Sequence, residues 1–413
     1  MFFGGACVII LIYGMFSKQD IQITNGGFRI MSQTKWVALW GNAPSYCERR
    51  TADYTKDTTL RYQITPTIGG DTIRLHFHNL LGQDDVTLTK VSVAPSTDRR
   101  AIDAGTVVPV TFSGNRHVTI AKGTEICSDE IPFCVETGKP FTVSIYLGDY
   151  TDMSSAVSPS GPLVHNCFTK GDYCDSAELP LDKALGCNYY YFLYTVDVLT
   201  ESRNHAIVAF GDSITAQSWP DWLTLRILEN GNPNCSVIRR GIGGSRILRE
   251  YTCHQTRHYG QSGLNRFERD IRSAAGADTV VVLHGINDII HPDGINPFRP
   301  MCDLPTADEL IEGLRFYVKT AHDAGMKIHL ATILPFKGWR TYDEARNRIR
   351  LEVNKWIREN TEADGFIDFE SALQDSSDPY ALAAPYASGD KLHPSTEGAQ
   401  KMAQTIPSAL FLA

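Results

Sequence analysis

Nowhere in this 413-residue chain do two cysteines stand at Cys-x-x-Cys spacing, although ten cysteines are present. That argues against zinc ribbons and thioredoxin-like redox centres. Long basic runs are absent as well. With 47 acidic against 39 basic residues and a formal net charge of −8, the surface is poorly suited to nucleic acid or anionic membrane, which both attract basic patches. No repeat or low-complexity segment interrupts the chain. The apolar stretch at the start, Phe2–Phe16, has only 15 residues. This is short for a spanning helix and suits the core of a signal peptide. No Lys or Arg precedes it, so the usual basic flank is missing. The expectation is a signal peptide within residues 1–20, or a retained membrane anchor, and a secreted or extracytoplasmic protein.

What is present divides at about residue 200. From about Trp36 the pattern has period two. In DTIRLHFHNL, Ile73, Leu75 and Phe77 alternate with Thr72, Arg74, His76 and His78. The alternation predicts a half-buried strand and explains His76 and His78 as its solvated face, with no third ligand placed for a metal. TVVPVTFSG, HVTIAKG, FTVSIYLG and NYYYFLYTVDV continue in this style between Gly, Asp and Asn. In DVTLTKVSVA the phase slips between Leu88 and Val91, which suggests a bulge. Residues 35–199 therefore read as an all-β sandwich, jelly-roll-like.

From Ser202 continuous apolar strands alternate with amphipathic helices. HAIVAFGDS, CSVIRRG, DTVVVLHG, MKIHLATILP and GFIDF are strands. SWPDWLTLRILENG reads as a helix. TADELIEGLRFYVKTAHDAG is a helix with a capping box at Thr306 and Glu309, a Gly325 stop, and Leu310, Leu314, Val318 and Ala321 on one face. TYDEARNRIRLEVNKWIREN places Ile349, Val353 and Trp356 on one side, and STEGAQKMAQTIPSALF is the last helix. This grammar predicts an α/β unit, residues 202–413, with a parallel sheet covered on both faces. Sites in such sheets lie at the carboxyl ends of the strands.

Those ends carry chemistry. The first strand closes on Gly211-Asp212-Ser213, the second on RRGIGGSR, the third on HGIND, and SGDKLHPS follows the last. A serine hydroxyl needs a base, and His393 can be one. Asp390, three residues earlier, can fix the imidazole tautomer and stabilise the cation. The N–H of Ser213 opens a helix and is free to donate to an oxyanion. Gly243 and Gly244 allow a second backbone N–H to approach, and the carboxamide of Asn287 is a third donor. Taken singly, these pieces also read as a helix cap, a plain loop or a turn. Together they fall in sequence order at the strand ends of one unit. The alternative serine-hydrolase elbow, Gly-x-Ser-x-Gly, is not matched, because Thr215 fills its last place.

On Gly211-Asp212-Ser213, the Gly244 turn, Asn287 and Asp390 with His393, the sequence resembles the SGNH, or GDSL-type, esterase superfamily. WVALWGNAP, TLRYQITPTIGGDTIRLHFHN, GINDIIHP, LPTADELIEGL and YASGDKLHP resemble its secreted members with an N-terminal β-sandwich. The resemblance implies a flavodoxin-like three-layer catalytic domain. It also implies Ser213 as nucleophile, His393 as base, Asp390 as its orienting acid, and Ser213, Gly244 and Asn287 as the oxyanion hole. No metal or cofactor is called for. The expected reaction is hydrolysis of short acyl esters, acetyl above all, on a carbohydrate or similar alcohol. An arylesterase or a lipase-like acylhydrolase is the alternative within the class. A glycan-binding surface protein with a vestigial hydrolase unit is the alternative outside it. The expected partner is an acylated small molecule or polysaccharide.

Cysteine is more frequent than in those relatives. Nine remain if Cys7 leaves with the signal, and export with cysteines in loops suggests disulfides. Cys127 with Cys134, and Cys253 with Cys302, are candidate pairs. Asn234-Cys235-Ser236 is formally a glycosylation acceptor. The loops 251–263 and 291–305 follow the second and third strands and are expected to shape the substrate pocket. His254 and His258, with Arg257, read as solvated loop residues. Trp219 and Trp222 read as core, Asp288 as a cap for the segment after it, and Asp212 as a brace for the nucleophile turn.

Overall fold

A computed structural model describes residues 21–24, 27–30, 33–46, 54–180, 185–186, 189–231, 233–251, 258–295 and 297–412. The β-rich half stacks two antiparallel sheets. One has five strands, in the order Glu125–Cys127, Gly70–His78, Leu193–Glu201, Thr34–Gly41, with Ile131–Val135 also pairing to Gly70–His78. The other has six, centred on Thr58–Ile64 and Phe141–Leu147. Ile73, Leu75 and Phe77 are fully buried between the sheets, as the alternation requires.

The opposite face of Gly70–His78 is solvated only in part, since Thr72, Arg74 and His76 are half-buried. His78 is buried, and burial, with the nearby Arg269 and Arg240 charges, pushes its pKa down to about 3. His76 Nε2 donates to Asp197 Oδ2 at 2.8 Å. The reason is docking: this sheet lies against the α/β half. Ala38 N donates to Ala275 O at 2.7 Å, and Ser160 N to Ala216 O at 3.1 Å. Arg240, buried in the seam, donates to Thr195 Oγ1 at 2.7 Å and to Tyr194 O at 3.2 Å. One hydrophobic core runs through both halves. Period two reports that a strand has two faces, but not what covers the second.

The slip at Leu88–Val91 is not a bulge. Val86–Leu88 pairs with Val118–Ile120, whereas Lys90–Pro95 pairs with Phe141–Leu147. Thr89 is the break where the chain changes partners. The Cys127–Cys134 pairing is likewise absent, and both are free thiols, as are Cys167, Cys174, Cys235 and Cys302. Cys127 stands opposite His76, while Pro132 stands opposite Thr72 and Val135 opposite Gly70. Those partners lie several residues apart along one strand, roughly 15 Å at strand rise, and a disulfide needs Cα atoms within about 7 Å. Cys253 lies outside the described residues. Asn234 and Ser236 are buried, so the fold leaves no room for a glycan at the formal acceptor.

The second half holds five parallel strands: β1 (His205–Gly211), β2 (Cys235–Gly241), β3 (Ala277–Leu283), β4 (Lys327–Ala331) and β5 (Gly365–Ile367). Their spatial order is β2-β1-β3-β4-β5, the flavodoxin-like order. The main helices are α1 (Trp219–Glu229), α2 (Gly263–Arg272), α3 (Ala307–Asp323), α4 (Glu344–Glu359) and α5 (Thr396–Thr405). The step from β1 to β2 runs one way and all later steps run the other. Right-handed crossovers therefore put α1 on one face and α2, α3 and α4 on the other. The packing agrees: α1 meets α5, and α2, α3 and α4 pack in succession. Both bonds of the Thr306–Glu309 capping box are made at the start of α3.

The helix α4 departs from its apolar pattern. Val353 is buried, but Ile349 and Trp356 are only partly so. The buried side carries Arg346, Asn347, Arg350 and Asn354. Arg350 pairs with the Glu370 carboxylate, and Asn354 Nδ2 donates to Glu370 Oε2 at 2.9 Å. A buried ion pair of this kind packs like core, and no apolar periodicity announces it.

Candidate active site

The strand β1 stops at Gly211, where an added Cβ would lie 2.1 Å from Leu283 O on neighbouring β3. The chain can turn there only without a side chain. Asp212 then caps the short helix Ser213–Ala216, its Oδ1 accepting from Ile214 N at 3.0 Å. Burial, aided by the nearby Asp288 charge and opposed by the Ile214 bond and Arg266, pushes the Asp212 pKa up to about 7. The cap presents Ser213 at the helix start, half-buried and facing a cavity.

Ser213 Oγ donates to His393 Nε2 at 2.8 Å, across 180 residues of sequence. His393 Nδ1 donates to Asp390 Oδ2 at 2.6 Å. With that proton held by the carboxylate, Nε2 is the ring acceptor. The other oxygen, Asp390 Oδ1, accepts from Leu392 N at 2.9 Å, His393 N at 3.0 Å and Ser388 Oγ at 2.6 Å. Partial burial works to raise the Asp390 pKa. The bonds from Ser388 and His393, joined by the two amides, outweigh it and hold the carboxyl well below the usual range. Between the two residues Lys391 adopts φ +64°, a left-handed conformation that a non-glycine residue takes at some cost. The bond from Ser388 N to His393 O, at 2.9 Å, closes this turn. The tight loop puts acid and base on one side.

Two elements converge from the other direction. Gly244 has φ +80°, and the Tyr259 ring lies 1.9 Å from where its Cβ would sit, so both conformation and space demand glycine. Among the described residues no acceptor meets the amide of Ser213 or of Gly244. Asn287, buried in the helix Ile286–Ile290, donates one Nδ2 hydrogen to Ser245 O at 3.0 Å, which aims the carboxamide along the same cavity wall. Asp288 does not cap its own segment. Its two oxygens accept from Ile247 N at 2.7 Å and Leu248 N at 3.0 Å, tying the Gly244 loop to the Asn287 helix. Burial raises its pKa to about 6 despite those two bonds.

Beneath the site lies a residue that the sequence reading passed over. Arg266 is fully buried in α2 and donates to Gly211 O at 2.7 Å, Arg240 O at 2.9 Å and Ser245 Oγ at 3.1 Å. It thereby joins the ends of β1 and β2 to the loop that carries Gly244. Asp270, one turn on, pairs with it at 2.7 Å. An Arg and an Asp four apart on a helix ordinarily read as a surface pair, so no local signal marked them. His284 lies alongside, bonded to Ser245 Oγ at 2.9 Å and Tyr317 OH at 3.0 Å, and burial beside Arg266 pushes its pKa down to about 3.

The cavity in front of Ser213 measures about 520 Å³. The α/β half lines it with Ile242, Gly243, His258, Tyr259, His291, Arg299, Trp339 and Arg340, besides the residues named above. His258 thus faces the cavity rather than open solvent. The β-sandwich supplies the rest: Ser45, Tyr46, Ala156, Val157, Ser158 and Tyr189. The loops 251–263 and 291–305 both contribute, through His258 and Tyr259 and through His291 and Arg299. Cys253, His254 and Arg257 lie outside the described residues. Trp219 is buried in the core against Phe369, and Trp222 packs on the core's edge; neither lines the cavity. No group of three or more metal-ligating side chains occurs among the described residues.

A parallel sheet in flavodoxin order, with a serine, a histidine and an aspartate in hydrogen-bonded series at its carboxyl edge, defines the class: the protein is a carboxylic ester hydrolase. More particularly, residues 209–401 match the model of the GDSL-like lipase/acylhydrolase family. No curated protein matches the chain. Among solved structures it is similar to an acetylxylan esterase from Geobacillus stearothermophilus, with 20% identity over 49% of this chain and 91% of that one and a TM-score of 0.36. It is also similar to a GDSL-like lipase from Bacteroides thetaiotaomicron, with 21% identity, 51% and 88% coverage and a TM-score of 0.35. The aryl esterase of M. smegmatis has 14% identity, 50% and 98% coverage and a TM-score of 0.37.

Proposed function

We propose that the protein is an exported esterase that removes short acyl groups, acetyl foremost, from a carbohydrate or similar alcohol. The observation that carries the reading is the unbroken series Ser213–His393–Asp390 opening into a 520 Å³ cavity. In this mechanism Ser213 Oγ attacks the ester carbonyl as His393 Nε2 takes its proton. Asp390 holds the imidazole in the receptive tautomer and stabilises the imidazolium. The amides of Ser213 and Gly244 and the Asn287 carboxamide receive the oxyanion, each such donor worth about 3–4 kcal/mol. His393 then protonates the departing alcohol oxygen. Water, activated by the same imidazole, releases the acid from Ser213.

Export rests on the apolar stretch Phe2–Phe16, and residues 35–199 and 202–413 are proposed as the two domains. Walls of serine and tyrosine from the sandwich, Ser45, Tyr46, Ser158 and Tyr189, suit a hydroxyl-rich alcohol better than a long acyl chain. The test is turnover of a p-nitrophenyl ester series from acetate upward, with Ser213→Ala as control. Fastest turnover of acetate, abolished in the variant, is expected. Equal turnover by both proteins overturns the assignment of Ser213, and no turnover by either favours a glycan-binding protein.

A further inference from the structure

The chain carries more acid than base overall, 47 residues against 39. The cavity reverses this. Among the described residues that line it there is no aspartate or glutamate, while Arg299, Arg340, His258 and His291 all do so, besides His393. The acids nearest to hand are already engaged. Asp390 is bound to His393 at 2.6 Å. Asp288 accepts from two backbone amides. Asp303 is paired with Arg246 at 2.9 Å.

The two guanidinium groups differ in how far they are satisfied. Arg299 donates to Tyr259 OH at 2.8 Å and has Asp293 at 3.8 Å. Arg340 is exposed, and its guanidinium lies over the Trp339 ring, 4.7 Å from the centroid. No carboxylate among the described residues pairs with Arg340. A guanidinium over an indole and without a carboxylate partner keeps N–H groups available, and arginine can grip an anion by two bonds. His291 reports the same field: burial, then the charges of Arg299, Arg246 and Arg340, hold its pKa well below the usual value. It stays neutral and leaves the positive charge of this wall to the arginines.

We propose that Arg340, with Arg299 behind it, forms a subsite for an anionic group, carboxylate or phosphate, borne by the alcohol part of the ester substrate. The inference rests on the esterase reading of this cavity and narrows its substrate class to acyl esters of anionic alcohols. A short acyl group at Ser213 fills little of 520 Å³, so the alcohol occupies the remainder, where Arg340 stands. A cleft lined by one sign of charge also concentrates substrate of the other sign at its mouth.

A matched set of aryl acetates tests this: 4-acetoxybenzoate, its neutral methyl ester, and 4-acetoxyphenyl phosphate. All three present the same acetyl group to Ser213. Turnover of the methyl ester tests the esterase reading, and only the ratio of kcat/KM, anionic over neutral, tests the subsite. At low ionic strength the wild-type ratio is expected to favour an anion about five- to tenfold. The ratio should fall toward unity at about 0.5 M sodium chloride, where exposed charges are screened. It should also fall toward unity in Arg340→Gln at low salt, and the larger of the two wild-type ratios identifies the anion. Turnover of the methyl ester with anionic ratios at or below one overturns the subsite. So does a preference that Arg340→Gln leaves intact. Because Arg340 is exposed, that variant is expected to fold, and an unchanged thermal midpoint checks it.

Discussion

Among the described residues, two histidines each contact both an aspartate and a serine or cysteine side chain, and one of them faces the cavity described above. At the mouth of the α/β sheet the series is Ser213, His393, Asp390. In the sandwich it is Cys127, His76, Asp197. The residue types are equivalent, but the wiring is not. His393 uses its two ring nitrogens separately, Nδ1 toward the acid and Nε2 toward the hydroxyl, so a proton taken at one nitrogen is answered at the other. His76 presents the same Nε2 to both partners, at 2.8 Å from Asp197 and 3.9 Å from Cys127. No relay through the ring is available there. Arg74 also donates to Asp197 Oδ2, at 2.9 Å, and shares the carboxylate. Burial alone would lower the His76 pKa, but its bonds to Asp197 and Cys127 lift it to about 9. A charged imidazole is a structural cation and not a base. The comparison teaches that such a triplet can relay a proton only when each group meets the next through a different atom.

The sharpest way to break that contrast is to remove both nucleophile-type atoms. Ser213→Ala should cut kcat/KM for p-nitrophenyl acetate by roughly 10⁴-fold or more, whereas Cys127→Ser should stay within about twofold of wild type, as surface changes away from a site do. A large loss from the cysteine variant would sink the distinction. Asp390→Asn should lower kcat by about 10³- to 10⁴-fold, because the wrong tautomer then faces Ser213. Its counterpart Asp197→Asn should leave turnover per folded molecule unchanged and lower the urea midpoint instead, by an amount equivalent to about 2–4 kcal/mol.

Gly244→Ala places a methyl where Tyr259 already sits and strains a φ of +80°. A loss of about 10²- to 10³-fold in kcat is expected, the size of one displaced oxyanion donor, together with a lowered thermal midpoint that reports the strain. The smallest effect separates the two histidines by pH. The pKa of His76 in the folded chain is about 9, above the ordinary 6.5. Its contribution is therefore fully present below pH 6.5, declines as pH rises, and is gone above about 9. Unfolding free energies of wild type and His76→Gln from urea titrations should differ by about 1–3 kcal/mol at pH 6 and converge near pH 10. A gap that stays constant across this range would show that His76 contributes packing and not charge.

Much of the fold was legible because it is written in local repeats. The change from period two to alternating strands and helices falls between Glu201 and His205, where one sheet ends and the next begins. The Thr306 cap and the Gly325 stop were visible in the same way. The strand-end residues Ser213, Gly244, Asn287, Asp390 and His393 could be picked out because a parallel sheet gathers its carboxyl ends at one edge, and the structure places all five around that edge. What escaped were residues whose role is to be covered. His78 looked solvated because its strand alternates, Arg266 looked like half of a surface pair, and the polar side of α4 carried no apolar signal. Each is buried by an element distant in sequence.

Sequence by itself thus determined the element types, the flavodoxin-like unit and the chemical inventory at its strand ends, since these depend on neighbours a few residues away. Tertiary structure alone decided that the sandwich would dock on the α/β unit, bury His78 and lend Tyr46 and Tyr189 to the cavity wall. It also decided which Asp–His pair would meet its third partner through the second ring nitrogen. Docking and atom-to-atom wiring depend on surfaces brought together from opposite ends of the chain, and no window of adjacent residues contains both sides of such a contact.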